Sequence, residues 1–221
     1  MKPRVRIDEA RTPDGKLLEL YEHDGAHDIV VDRRPLMSSR KHQSEEDLAS
    51  LVCRDLPSAA RVLIGGLGLG FTLRAALDLL PPDAEAIQVE LIPEVVTWNE
   101  TRMGHHADHP LRDPRTRIVV GDVRGVIPRY ERQLHAVMLD VDNGPDPMVS
   151  EGNAWLYAKE GLRAIHRALV PGGRVAVWSA TDDTTFPRTL RRSGFEAQRH
   201  LSSARPGRKG GRHFIFVGAR R

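Results

Sequence analysis

The stretch Val62-Leu63-Ile64-Gly65-Gly66-Leu67-Gly68-Leu69-Gly70-Phe71-Thr72-Leu73-Arg74 constrains this 221-residue chain more than any other. A short uncharged apolar run reads as a buried strand, the glycines at alternate positions as a tight turn, and the residues after Gly70 as a helix. A strand that enters a helix through glycines exposes bare backbone amides to a ligand. The spacing excludes two common users of such turns. A dinucleotide fingerprint needs glycines at i, i+2 and i+5, and the third position falls on Phe71 counted from Gly66 and on Leu73 counted from Gly68. A Walker-type phosphate loop needs Gly-Lys followed by Ser or Thr, which this turn lacks.

From residue 60 onward, short strands alternate with longer helical runs: Arg61–Ile64, a helix from Thr72, Ala86–Glu90, a helix from Pro93, Arg117–Val120, Ala136–Leu139, a helix over Asn153–Leu169, and Arg174–Trp178. This alternation predicts βαβ units, with parallel strands and helices on both faces of the sheet. A helix near Phe186–Arg192 closes at Gly194, and the consecutive strands Phe195–His200 and His213–Val217 predict an antiparallel edge. Earlier, Leu17–Tyr21 and Asp28–Val31 flank His23-Asp24-Gly25-Ala26 and read as a hairpin. Ser44 is expected to cap a helix reaching Asp55, with Glu45, Glu46 and Asp47 in its first turn. The expected fold class is α/β: a Rossmann-like, doubly wound, mostly parallel seven-stranded sheet with an antiparallel edge, preceded by a short N-terminal β-hairpin. Residues 1–43 are assigned to the hairpin extension and 44–221 to the Rossmann-like domain.

With 40% hydrophobic and 29% charged residues, the composition is that of a soluble globular domain, and no apolar run approaches the roughly 20 residues that span a bilayer. No membrane partner is expected. The N-terminal residues alternate charge with apolar side chains where a signal peptide carries a continuous apolar core, and the one cysteine, Cys53, excludes an intrachain disulfide. Both features point to the cytoplasm. A net charge of +3 gives little ground for a polyanion partner. The basic run Arg205-Pro206-Gly207-Arg208-Lys209-Gly210-Gly211-Arg212 has no interleaved aromatic and reads first as a solvated loop, so nucleic acid is not expected.

Carboxylates mark the ends of the expected strands. Glu90 lies twenty positions past Gly70, where this topology places a ribose diol; its other reading is an acid at the start of the next helix. Asp122, after Gly121, could accept from an adenine amino group or cap the following helix. Asp140 and Asp142 are separated by one residue, so a continuing strand points both to one side, where paired acids can hold a cationic amine and take its proton. His105-His106-Ala107-Asp108-His109 invites a metal reading but shows no complementary ligands elsewhere in the sequence, and no metal is assigned. Trp155 and Tyr157 could wall an acceptor pocket or pack in the core, and Trp178 reads as core.

Taken together, Gly66-x-Gly68-x-Gly70, Glu90 and Gly121-Asp122 resemble the S-adenosylmethionine site of class I methyltransferases. Within that superfamily the chain is most similar to spermidine synthases and their relatives, through Val62–Arg74, Leu139-Asp140-Val141-Asp142 and Leu156–Gly173. The resemblance covers roughly residues 17–217. It implies a cofactor, S-adenosylmethionine or its decarboxylated form, a small-molecule acceptor, and homodimers as an option. It also implies that Arg40, Lys41, His42 and Gln43 lie over the cofactor, so Arg40 and His42 join the expected binding residues. Two departures stand out. The family's Asp-x-x-Asp-Pro segment is Asp140-Val141-Asp142-Asn143-Gly144-Pro145 here, and its Tyr-His-Glu segment is Ser44-Glu45-Glu46.

The departures, and cations near residue 40 that could read a methionine carboxylate, favour methyl transfer to a small, amine-bearing acceptor with Asp140 and Asp142 as the catalytic acids. The alternatives are aminopropyl transfer from decarboxylated S-adenosylmethionine to a polyamine, and a non-catalytic module that only binds S-adenosylmethionine.

Overall fold

The computed structural model describes residues 3–141, 154–205 and 209–221. Four short strands come first: β1 (Val5–Arg11), β2 (Leu17–His23), β3 (Ala26–Val31) and β4 (Arg34–Ser38), paired antiparallel in chain order. The expected hairpin is β2–β3, turned by Asp24 and Gly25, both at positive φ as a two-residue hairpin turn requires. A four-stranded sheet, rather than a lone hairpin, corrects the sequence expectation. The turn into β4 uses Asp32 and Arg33, again both at positive φ, but without a glycine to signal it. Pro35 sits in β4, which is an edge strand and can spare the N–H.

The main sheet follows α1 (Gln43–Cys53) and is built from β5 (Arg61–Gly65), β6 (Glu85–Glu90), β7 (Thr116–Val120), β8 (Leu134–Leu139), β9 (Leu169–Ser179), β10 (Phe195–Arg205) and β11 (Lys209–Arg220). Its order is β10-β11-β9-β8-β5-β6-β7, with β5 to β9 parallel and β11 antiparallel to both neighbours. The antiparallel strand therefore lies one position in from the edge, because β11 inserts between β9 and β10. Helices α2 (Phe71–Leu79), α3 (Pro93–Trp98), α4 (Val123–Val126), α5 (Ala154–Tyr157), α6 (Lys159–Ala168) and α7 (Phe186–Arg192) fill the connections. The single helix expected over 153–169 is two helices, α5 and α6, joined at Ala158 in extended backbone. Ser44 lies inside α1, and His42 occupies the cap position.

Strand residues alternate between two buried clusters, one on each face. Val62, Ile64, Ala86, Met138 and Ile215 face α1, α2 and α3, while Leu63, Ile87, Val137, Leu139 and Phe216 face α6 and α7. Leu18, Leu20, Ile29 and Val31 of the small sheet belong to the first cluster, so the two sheets share one apolar layer. No helix among the described residues is long and apolar enough to cross a membrane.

The chain winds from β5 to β7 on one side and then returns to β8 on the other, so the strand order reverses beside β5. Loops at the carboxyl ends of β5, β6, β7 and β8 diverge there and leave a crevice. Because the sheets share a core, Leu20→Ala is expected to cost about 2–5 kcal/mol and to leave urea unfolding as one transition. Two separated transitions would show that the N-terminal sheet unfolds by itself.

Candidate functional site

The crevice opens into a cavity of about 930 Å³, counted to its open mouth and including solvent there. Its floor is the glycine turn. Gly66 has φ +83°, and a Cβ there would lie 2.2 Å from the Asp140 carbonyl oxygen, so only glycine lets β5 and β8 end this close together. Gly68, at φ +51°, faces Met37 of β4. The small sheet thereby roofs the turn, and Leu18, Ile29, Leu36 and Met37 give the cavity an apolar wall.

Glu90 ends β6 and is 7% exposed. Its Oε2 accepts from the Leu67 N–H at 2.8 Å and its Oε1 from the Ile92 N–H at 2.9 Å. Burial raises its pKa, and these backbone donors oppose the rise. Asp122 caps α4 by accepting from the Arg124 N–H at 2.8 Å and also accepts from Arg124 Nε at 2.7 Å. Burial works against its charge, but Arg124 prevails and holds its pKa below the ordinary value. The capping role is therefore realised, and Asp122 lines the cavity as well.

Asp140 ends β8. Its Oδ2 accepts from Thr72 Oγ1 at 2.7 Å, and its backbone N–H donates to the Gly65 carbonyl. Across the cavity Glu45 projects from the first turn of α1. Burial raises both carboxyls above the usual carboxylate range, and the negative charge of Asp140 raises Glu45 further. Ser44 Oγ donates to Glu45 Oε2 at 2.6 Å, which leaves His213 Nδ1 to donate to the same serine oxygen at 2.9 Å. Trp178 adds an indole wall whose Nε1 has no hydrogen-bond partner among the described residues.

The structure thus gathers Gly66, Gly68, Glu90, Gly121, Asp122 and Asp140 around one cavity. It does not bring the other expected residues there. Gly70 starts α2 and faces Pro110 and Asn99, away from the opening. Arg40 donates through Nη2 to the His23 carbonyl at 2.9 Å, and His42 pairs with Glu46 at 2.7 Å and stacks on Phe71. Both are spent on local structure. Tyr157 packs on Phe186 and Trp155 against the second apolar cluster, so neither walls the cavity. Asp142 and Asn143 to Pro145 lie outside the described residues. Glu45, Thr72 and Trp178 are the residues that sequence reasoning missed: Glu45 looked like an ordinary first-turn acid and Trp178 like core.

No lysine, arginine or histidine is among the described lining residues. A cavity walled by four acids and no base complements a cation and disfavours a carboxylate. The cations expected to read a methionine carboxylate are not among the described lining residues.

No protein-family model matches the chain. It is similar to polyamine aminopropyltransferase 2 of Hyperthermus butylicus, 30% identical over 128 residues, which are 58% of this chain and 40% of that protein. It is also similar to the polyamine aminopropyltransferase of Corynebacterium efficiens, 31% identical over 185 residues, 75% of this chain and 34% of that one. A third relative, putrescine N-methyltransferase 2 of Nicotiana attenuata, is 28% identical over 131 residues, 59% of this chain and 33% of the relative. The chain thus spans less than half the length of these relatives. Its fold matches that of spermidine synthase from Thermotoga maritima with a TM-score of 0.77 over 98% of this chain and 72% of that chain, at 17% identity. The fold is spermidine synthase-like. The favoured reading of methyl transfer is corrected: the two most identical of these relatives are named for aminopropyl transfer and the structural neighbour is a spermidine synthase.

The raised carboxyls also set a pH dependence. Groups that bind protons more tightly folded than unfolded give a stability contribution that is complete below the ordinary carboxylate range and is lost as pH rises through their raised values. Unfolding free energy should fall from mildly acidic toward alkaline pH, and Glu45→Gln should flatten that fall and gain on the order of 1 kcal/mol at mildly alkaline pH. An unchanged slope in urea melts across pH would show that Glu45 carries no such burden.

Proposed function

We propose that this chain transfers an aminopropyl group from decarboxylated S-adenosylmethionine to an amine of the polyamine class. The observation that carries this reading is the charge of the cavity: Glu45, Glu90, Asp122 and Asp140 line it without a basic side chain among the described residues. The intact donor would bring a carboxylate into that field with nothing to pair it, a costly burial. The decarboxylated donor presents only a sulfonium and an ammonium group, which the acids complement.

The residues present fit such a donor. Each Glu90 oxygen accepts one backbone N–H, which leaves lone pairs for two ribose hydroxyls. Gly66 and Gly68 let the donor approach backbone, Gly121 and Asp122 bound the end beneath β7, and Trp178 offers a π-face to a cation. In this reading Asp140 takes the acceptor amine, with Asp142, two residues on in sequence, as its proposed partner. The donor supplies a carbon activated by the sulfonium: the amine lone pair forms the new C–N bond as the C–S bond breaks, the bonding electrons go to sulfur, and methylthioadenosine leaves. The protein's share is positioning and proton acceptance. Thr72 fixes the Asp140 carboxylate, and burial raises its affinity for the proton that the amine must shed.

Incubation with decarboxylated S-adenosylmethionine and putrescine should release methylthioadenosine, and intact S-adenosylmethionine should bind at least about tenfold more weakly, about 1.4 kcal/mol. Asp140→Asn should lower kcat by about 10²–10⁴ with donor affinity nearly unchanged, by calorimetry. Methylated amine formed from intact S-adenosylmethionine, with no methylthioadenosine released, would overturn the proposal.

A further inference from the structure

Three histidines converge outside the cavity, where β3 meets the turn after α3. His27 is buried on β3; His105 and His106 stand on the 3₁₀ turn Gly104–Ala107. One ring nitrogen of each lies within 4.8 Å of those of the other two, and His27 Nδ1 is 2.7 Å from His106 Nε2 across 79 residues of sequence. The rings of His105 and His106 are 4.1 Å apart between centroids. The chain supplies the complementary ligand that the sequence alone did not disclose.

The backbone departs from regular geometry to present this pair. After α3 the helix widens into a π turn at Asn99–Met103 and then tightens into the 3₁₀ turn. Asp108 and His109 follow at φ +51° and +47°, and a Cβ on Gly104 would meet the Asn99 carbonyl oxygen at 2.2 Å. Single π turns recur at functional sites, and non-glycine residues at positive φ cost on the order of 1 kcal/mol each unless the surroundings enforce them. The rings also present lone pairs. Burial lowers the pKa of His27 and His106, the latter to about 4; His105 lowers both further, while Glu22 and Asp28 pull His27 the other way without restoring it. Neutral imidazole is the form that ligates metals.

We propose that His27, His105 and His106 form a three-histidine site for a divalent transition metal of the zinc type, with water completing the coordination. Metal–nitrogen bonds of about 2.0–2.1 Å in a tetrahedron separate ligand nitrogens by about 3.3 Å, which lies between the closest and widest spacings of this cluster. Small side-chain rotations suffice, and the exposed His105 gives an approach from solvent. Three imidazoles without carboxylate select zinc, cobalt, nickel or copper over magnesium or calcium. A bound ion would join β3 to the turn whose Ala107, with nearby Pro110, packs on Gly70 at the start of α2. It would fasten the small sheet to the glycine turn while staying out of the cavity.

The chelator-stripped full chain should bind one equivalent of Co²⁺ with the visible bands of low-coordinate cobalt, displaced by Zn²⁺, and either ion should raise the thermal midpoint. His105→Ala, at an exposed position, and His27→Gln should each weaken Co²⁺ binding by about tenfold or more and abolish the thermal shift. Metal affinity unchanged in both folded variants, or no stoichiometric binding by the parent chain, would overturn the proposal.

Discussion

A buried carboxylate holds the site together. Glu90 closes two backbone turns at once: one oxygen takes the Leu67 N–H in the glycine turn, and the other takes the Ile92 N–H at the start of α3. Neither loop has regular strand or helix bonds at those positions, so the side chain substitutes for them. The main-chain oxygen of the same residue accepts from Gly121, which adds the β7 loop to the assembly. Three loops that contribute lining residues therefore meet at one residue, two of them through its side chain, whose desolvation is offset by the donors it collects.

That arrangement explains how acids can crowd the crevice. Asp122 is neutralised by Arg124, and the charge of Glu90 is partly met by the backbone amides of Leu67 and Ile92, so the unbalanced negative charge rests mainly on Glu45 and Asp140. Burial of both carboxyls, and the charge of Asp140 on Glu45, keep a proton on this pair at a pH where free carboxylates would be ionised. The cavity is consequently primed for a cation, which would replace that proton as the compensating charge. The Glu45–Ser44–His213 chain extends from this pair into α1 and β11, giving the proton a hydrogen-bonded neighbour outside the cavity.

The α/β half was legible because its signals are local. Val62 to Arg74 carries strand, turn and helix in one continuous run, and Glu90 and Asp122 follow at strand ends that the βαβ alternation exposes. The small sheet was only half legible. Asp24-Gly25 announces β2–β3, but β4 begins after Asp32-Arg33 and contains Pro35, so turn and strand chemistry both argue against what tertiary packing enforces. In β1 the alternation of charged and apolar residues from Arg4 to Glu9 is a strand signal, which the sequence reading used only to exclude a signal peptide. Glu45 and His27 were invisible as site residues for a different reason: each acquires meaning only from a partner brought near by the fold, Asp140 for one and His106 for the other.

The two parts of the molecule thus bring different chemistry to the cavity. The ends of β5 to β8 provide backbone and carboxylates, whose positions are fixed by the reversal of strand order and cannot drift without breaking the sheet. The small sheet contributes Leu18, Ile29, Leu36 and Met37, an apolar wall with no hydrogen-bonding requirement. Apolar side chains exchange size at modest cost where buried polar networks do not. Met37 meets this description most directly, since its flexible thioether rests against Gly68 and can yield to the shape of a bound molecule. The shape that fits is therefore set by the wall, and the charge that fits by the strand ends together with Glu45 of α1.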